Sequence, residues 1–228
     1  MIEFLFLDLD DTILDFHKAE GIAIRKTFSQ LGIDPTDAVC SRYSVINKQC
    51  WERLERKELT REEVVVERFA ALFRELGSDA DPVACARRYE TNLSIGHYFL
   101  PGAEEALEQL SKKYRLYLAS NGTAKVQAGR LKSANISHFF NEIFVSQDIG
   151  ANKPSMEYFA RCFARIPGFD PAKAMIVGDS LTSDIQGGIN AGIRTCWVNP
   201  NHQPGRADIH PDYEIEYLSQ LPSLLETL

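Results

Sequence analysis

The chain has 228 residues, enough for one well-filled core or one core carrying a sizeable insertion. A hydrophobic share of 44% and a charged share of 25% are ordinary for a globular protein, and a formal net charge of -7 argues against a surface that coats nucleic acid polymers. No apolar run is long enough to cross a membrane, and the five cysteines (Cys40, Cys50, Cys85, Cys162 and Cys196) form no C-x-x-C pair, which points to free thiols in a reducing, cytoplasmic setting.

The opening stretch "FLFLDLDDTILDF", Phe4 to Phe16, predicts a strand covered on both faces and ended by Asp8, Asp10 and Asp11. It lacks a basic leader, so a signal peptide is not expected. From about His17 to His97 the periodicity is helical with charged faces, as in "ERLERKELTREEVVVERFAALFREL", where "TREE" has the form of a capping box. "FLPGAEEALEQLSKKY" then predicts a turn and a Pro-led helix with an acidic first turn and a basic end. Next come the strand "RLYLAS", a helix from about Thr123, the strand "EIFVS", a helix from about Pro154, the strand "AMIVGD", a helix from about Thr182, and the strand "RTCWVN". "DYEIEYL" offers an edge strand before a last short helix. Short strands alternating with helices predict a doubly wound parallel α/β sheet. Its core would be residues 1–16 and 98–228, with a helical domain, residues 17–97, inserted between them.

In such sheets ligands sit beyond the carboxyl ends of the strands. The first strand ends in "DLDDT", the second in "SNG" and the fourth in "GDSLTSD", and the loop "GANKPS" carries Lys153 between the last two. Carboxylates ending a buried strand need a metal ion, a helix N-terminus or exposure to offset their desolvation. Asp8 and Asp10, two positions apart, would share a strand face, and with Asp179 they supply hard oxygens of the kind Mg2+ takes. Ser120 and Asn121 add hydrogen-bond donors and Lys153 a point charge, a set suited to phosphoryl transfer. An Asp can then be the nucleophile and a second carboxylate the general acid and base. Each piece has a plainer reading. Asp11 and Thr12 are good helix caps, "SNG" is a common turn, "GDSLTSD" suits a capped strand–helix junction, and Lys153 could be a solvated loop lysine. Their shared order and sheet end favour a site.

"DLDDT", "SNG", "KP" and "GDSLTSD", in that order, resemble the haloacid-dehalogenase-like (HAD) hydrolase superfamily over the whole chain. The resemblance implies a Rossmann-like core, a C1-type helical cap that selects substrate, and a Mg2+-dependent phosphatase working through an aspartyl-phosphate. By position it implies Asp8 as nucleophile and Asp10 as general acid/base, with Thr12 supporting the Asp10 loop. Ser120, Asn121, Gly122 and Lys153 would hold the phosphate, and Lys153 would also offset charge on Asp8. Mg2+ would be held by Asp8, the backbone carbonyl of Asp10 and Asp179, with Asp184 farther out or acting through water. "INKQCW", "SNGTAKVQAGRL" and "VGDSLTSDIQGGINAGIRTCWVN" look like the bacterial YjjG/YfnB-type pyrimidine 5'-nucleotidases. That likeness implies a nucleoside monophosphate as the small-molecule partner and a monomer or homodimer.

Trp51 and Tyr43 could stack on a base or simply pack the helical domain. The histidines show no metal-ligand spacing, and "GGINAG" falls in or after a helix rather than between strand and helix, so it is no dinucleotide fingerprint. Competing functions are a phosphatase for phosphoglycolate or a sugar phosphate, a phosphomutase, or a non-catalytic metabolite sensor. A sensor would be expected to lose a motif residue. Carbon–halogen hydrolysis is disfavoured, because those relatives lack an Asp at the place of Asp10.

Overall fold

Strand β1 (Phe4–Leu7) divides its side chains between two cores in the computed structural model, which describes residues 1–228. Phe4 and Phe6 point into a cluster with Tyr117, Phe144, Tyr158 and Ile176, whereas Leu5 and Leu7 join Leu116, Leu118, Met175 and Val177 on the opposite face. Both faces of the strand are therefore dry, which explains an apolar run without alternation. The neighbours are β2 (Arg115–Ser120), β3 (Glu142–Val145), β4 (Ala174–Gly178), β5 (Arg194–Val198) and β6 (Tyr213–Ile215). They form one six-stranded sheet in the order β3-β2-β1-β4-β5-β6, with every pairing parallel. Phe6 lies opposite Tyr117 of β2 and Ile176 of β4, so β1 is central and the strand ends that follow it share one edge.

The insertion contributes α1 (Phe16–Gln30), α2 (Asp37–Glu55), α3 (Arg61–Leu76) and α4 (Pro82–Leu93), with no strand among them. Asp15, Thr36, Thr60 and Asp81 cap these helices through their side chains, and Thr60 and Glu63 complete the expected capping box. The four helices close around their own apolar cluster, which includes Phe28, Tyr43, Phe69, Leu72 and Tyr89. Tyr43 is fully buried there and stacks on Phe69 at 5.0 Å between ring centres. It therefore cannot lie against a substrate, and of its two readings the packing one holds.

After the insertion come α5 (Ala103–Leu110), α6 (Ala124–Ala134), α7 (Ser146–Ile149), α8 (Met156–Phe163), α9 (Gln186–Ala191) and α10 (Leu221–Leu225). Residues of α5, α6 and α10 cover the Leu5 face and those of α8 the Phe6 face, the two-sided layering of a doubly wound sheet. Two local details differ from expectation. Helix α5 starts behind Gly102, left-handed at φ 66, rather than at Pro101, and Lys112 and Lys113 fall beyond its end. Between β4 and α9 the chain makes a π-helical turn over Leu181–Ile185, a feature common near functional sites. No helix is long and apolar enough to cross a membrane. All five histidines are exposed.

All five cysteines are buried and unpaired, and burial pushes the thiols of Cys85, Cys162 and Cys196 up to about 12. A thiol held protonated and out of water reacts slowly. Titration with a chromogenic disulfide at pH 8 should find essentially no reactive thiol in the folded protein and all five in urea. Rapid stoichiometric reaction of the folded chain would contradict this burial.

Candidate active site

Asp8 follows directly on β1 and is fixed by its own backbone, whose N–H donates to the carbonyl of Val177 at 2.9 Å. The residue is 7% exposed. Lys153, 1% exposed, donates from Nζ to Oδ1 of Asp8 and Oδ1 of Asp184, each at 2.6 Å, and to the carbonyl of Ala119 at 2.5 Å. All three ammonium protons are thus used within the protein. Oxygens of Asp8, Asp179 and Asp184 lie within 4.8 Å of one another. Gly178 makes that convergence possible, since a Cβ there would sit 2.2 Å from Oδ2 of Asp184. Asp184 Oδ2 also accepts from the N–H of Ser180 at 3.1 Å, which holds it at the mouth of β4.

The electrostatics follow from burial. Desolvation pushes the Asp8 carboxyl up to about 7 against the pull of Lys153, and it raises Asp179 well above the carboxylate range, helped by the charges of Asp184 and Asp8. Burial also works against the charge on Lys153, but Asp184 and Asp8 more than offset it and raise that group. Three carboxylates facing one ammonium leave surplus negative charge on hard oxygens, a donor set that fits a small divalent cation.

Loop chemistry separates the other acidic groups. The strand ends at Leu7, so Asp10 is not on it and does not share a strand face with Asp8 as the spacing predicts. Asp11 adopts a left-handed φ of 54°, the chain doubles back, and the Asp11 carboxylate accepts from the N–H of Phe16 at 2.9 Å. Asp11 thus satisfies the first N–H groups of α1 beside the N-cap Asp15, and it also lines the cavity beyond the strand ends. Thr12 is fully buried with its hydroxyl unpartnered, and it does not line the cavity beyond the strand ends. Asp10 does line that cavity, with Asp8, Ser120, Asn121, Gly122, Lys153, Asp179, Asp184 and Trp51. Its carboxylate is gripped by Arg130 through Nη1 and by Gln127 through Nε2, the latter at 2.7 Å.

The residues after β2 mostly build the loop. Asn121 donates to the carbonyl of Lys153 and accepts from its N–H, both at 2.9 Å, so it ties the loop after β2 to the loop that carries the lysine. Ser120 Oγ accepts from Gly122 N–H at 3.1 Å and from Gln127 Nε2 at 2.8 Å. A Cβ on Gly122 would meet Gln127 Nε2 at 2.5 Å, so glycine there lets Gln127 reach both Ser120 and Asp10.

Residues 5–198 match the model of the haloacid dehalogenase-like hydrolases. The chain belongs to that family. It is 42% identical to YfnB of Bacillus subtilis (strain 168), with 97% of this chain and 94% of the relative covered. It is 36% identical to the pyrimidine 5'-nucleotidase PynA of Streptococcus pneumoniae (strain ATCC BAA-255 / R6), covering 98% of this chain and 95% of the relative. The crystal structure of YfnB from Bacillus subtilis, described as bound to magnesium and as revealing interdomain movement, superimposes with a TM-score of 0.94 at 41% identity and covers 98% of each chain.

In this HAD hydrolase the four-helix insertion reaches the site through residues that the sequence patterns leave unmarked. Arg61 opens α3 inside the "TREE" box, yet it is 6% exposed and donates from Nη1 to the carbonyls of Asn121 and Gly122, each at 2.6 Å. Its Nη2 donates to Ser146 Oγ at 2.5 Å and to Asn152 Oδ1. Glu55, at the end of α2, accepts from Thr182 Oγ1 at 2.9 Å. Gln127 and Arg130 are an i, i+3 pair on α6, a spacing that puts both on one helix face. That spacing in "SNGTAKVQAGRL" is the signal that could have marked them. Trp51 is half-buried in the cavity wall, its Nε1 donating to Asn47 Oδ1 at 3.1 Å.

Removing the ammonium should expose the strain it relieves. Lys153→Met should lower the unfolding free energy at pH 7, in chelator, by about 3–5 kcal/mol, the usual penalty for stripping one partner from a buried pair. Urea titration checks this, and a change of about 1 kcal/mol or less would contradict the placement of Lys153.

Proposed function

We propose that this HAD hydrolase is a Mg2+-dependent phosphomonoesterase acting on pyrimidine nucleoside 5'-monophosphates, with residues 17–97 serving as a cap domain over a core of residues 1–16 and 98–228. The observation that carries the reading is the convergence of Asp8, Asp179 and Asp184 beyond β1 and β4, in one cavity with Asp10. Similarity to PynA, a pyrimidine 5'-nucleotidase over nearly its full length, supports the substrate class.

Under this proposal Asp8, Asp179 and Asp184, with the backbone carbonyl of Asp10, hold Mg2+, which supplies charge neutralisation for phosphoryl oxygens and for the crowded carboxylates. An Oδ of Asp8 attacks phosphorus, an Asp8–phosphorus bond forms, and the ester oxygen leaves as the nucleoside 5'-hydroxyl after taking a proton from the Asp10 carboxyl. Water then attacks the aspartyl-phosphate, gives its proton to the Asp10 carboxylate, and frees inorganic phosphate and Asp8. Arg130 and Gln127 keep Asp10 pointing into the cavity. Lys153 holds Asp8 in place and moderates its charge. Asn121 acts on the reaction through the Lys153 loop, and Ser120 through the Gln127–Asp10 contact. A phosphate-sensing role without turnover is disfavoured, since the sequence keeps every motif residue.

Two measurements test this reading. Asp8→Asn keeps the shape of the side chain but removes the nucleophile, so UMP turnover with Mg2+ should fall by several orders of magnitude in a folded variant. Retention of a tenth of wild-type activity would exclude Asp8 as nucleophile. Mg2+ should also raise the Tm of the wild-type protein, and this shift should disappear in Asp179→Asn. An undiminished shift in that variant would place the ion elsewhere.

A further inference from the structure

The cavity that begins at Asp8 extends to the helical insertion, where it is walled by Phe16, Trp51, Leu54, Leu93 and Val126. Most polar groups on that side are already bonded within the protein. Glu55 accepts from Thr182, and the Trp51 N–H donates to Asn47. Two ionic groups of the insertion itself remain, Arg68 on α3 and Glu90 on α4.

Arg68 is 3% exposed and held on three sides. Nε donates to the carbonyl of Val65 at 3.2 Å, Nη1 donates to Asn47 Oδ1 at 3.1 Å, and the guanidinium lies 4.8 Å from the centre of the Tyr89 ring. Its Nη2 makes no hydrogen bond. Glu90 is half-buried in the same cavity wall, and its carboxylate has neither a donor nor an ion-pair partner, Arg68 included. A fixed guanidinium and a carboxylate that line one cavity without pairing leave a donor and an acceptor available to a third body.

We infer that Arg68 and Glu90 read the leaving group as a planar amide edge, with Arg68 Nη2 donating to a ring carbonyl and Glu90 accepting from the adjacent ring N–H, between the apolar walls around Trp51. This rests on the nucleotidase reading and adds the residues that select the base. The pair also works against other esters. A carboxylated leaving group such as glycolate would be drawn to Arg68 but repelled by Glu90, and a bare sugar would leave the apolar walls without a partner. Uracil-type bases carry a carbonyl beside N3–H, so methylation at N3 removes the proton that Glu90 would accept.

The test compares UMP, N3-methyl-UMP and p-nitrophenyl phosphate as substrates of the full chain at saturating Mg2+, in wild type and in Glu90→Ala. The variant suits its partly exposed helical position, because alanine is the best helix former. Wild type should favour UMP over N3-methyl-UMP in kcat/KM by about tenfold or more, as expected for one hydrogen bond to a charged group. In Glu90→Ala that preference should collapse to within about twofold, and the loss should fall on UMP rather than on N3-methyl-UMP. If the preference is absent in wild type, or survives in Glu90→Ala, the assignment of Glu90 is wrong while the nucleotidase reading stands. If wild type hydrolyses p-nitrophenyl phosphate but neither nucleotide, both fall together.

Discussion

The Lys153 ammonium lies 2.6 Å from an oxygen of Asp8 and 2.6 Å from one of Asp184, and the surrounding chain is arranged to permit that contact. Taking these groups out of water costs several kcal/mol per ion unless each charge is matched. The protein matches them by bringing three separate segments to one sheet edge. β1 delivers Asp8, the turn after β4 delivers Asp184, and the loop after α7 delivers Lys153, tied to the β2 end by the reciprocal Asn121 bonds. Gly178 has no side chain because Asp184 occupies the space one would need.

The match is deliberately incomplete in its chemistry. Asp179 adds a third carboxylate with no cation of its own, and burial raises both it and Asp8. A site of this kind binds a divalent ion more readily than a neutral cluster would, because the ion relieves repulsion already present in the fold. The same cavity is closed on its far side by the four-helix insertion. Arg61 anchors that insertion to the carbonyls of Asn121 and Gly122, and Glu55 anchors it to Thr182, so the insertion grips the very loops that frame the carboxylates.

Much of this was legible in the sequence because sheet topology forces it. An apolar run ending in acids, followed by further strand ends bearing hydroxyl, amide, lysine and acid, can only bring those groups to one edge of a parallel sheet. Asp8, Asp179 and Lys153 meet there, and Asp184 lies in the cluster itself, bonded to Lys153, rather than farther out. Asp10 reaches the cavity by a different route, because the strand stops at Leu7 and Asp11 turns the chain through a left-handed conformation that no hydrophobic pattern announces. Arg61 carries no sequence signal, and Gln127 and Arg130 carry only a shared helix face, for another reason. A polar residue on a helix is usually solvated, and only the tertiary packing of α6 and α3 shows that these three are buried and bonded to the site. Tyr43 shows the converse, since packing is the commoner role for such a ring but substrate stacking stayed open until the Phe69 contact placed it in the packed interior.

Under the proposed function Asp8 is the covalent nucleophile, and trapping its acyl-phosphate tests that most directly. Asp10→Asn, which under the proposal lacks the base for the second step, would be mixed with Mg2+ and p-nitrophenyl phosphate, whose leaving group needs no acid, then quenched in acid and reduced with borohydride, which converts an acyl-phosphate to an alcohol. Peptide mass spectrometry should then find the reduced side chain at position 8 and at no other carboxylate. Reduction at Asp10, Asp11 or Asp179 instead, or none at all while phosphate is still released, would contradict the assignment.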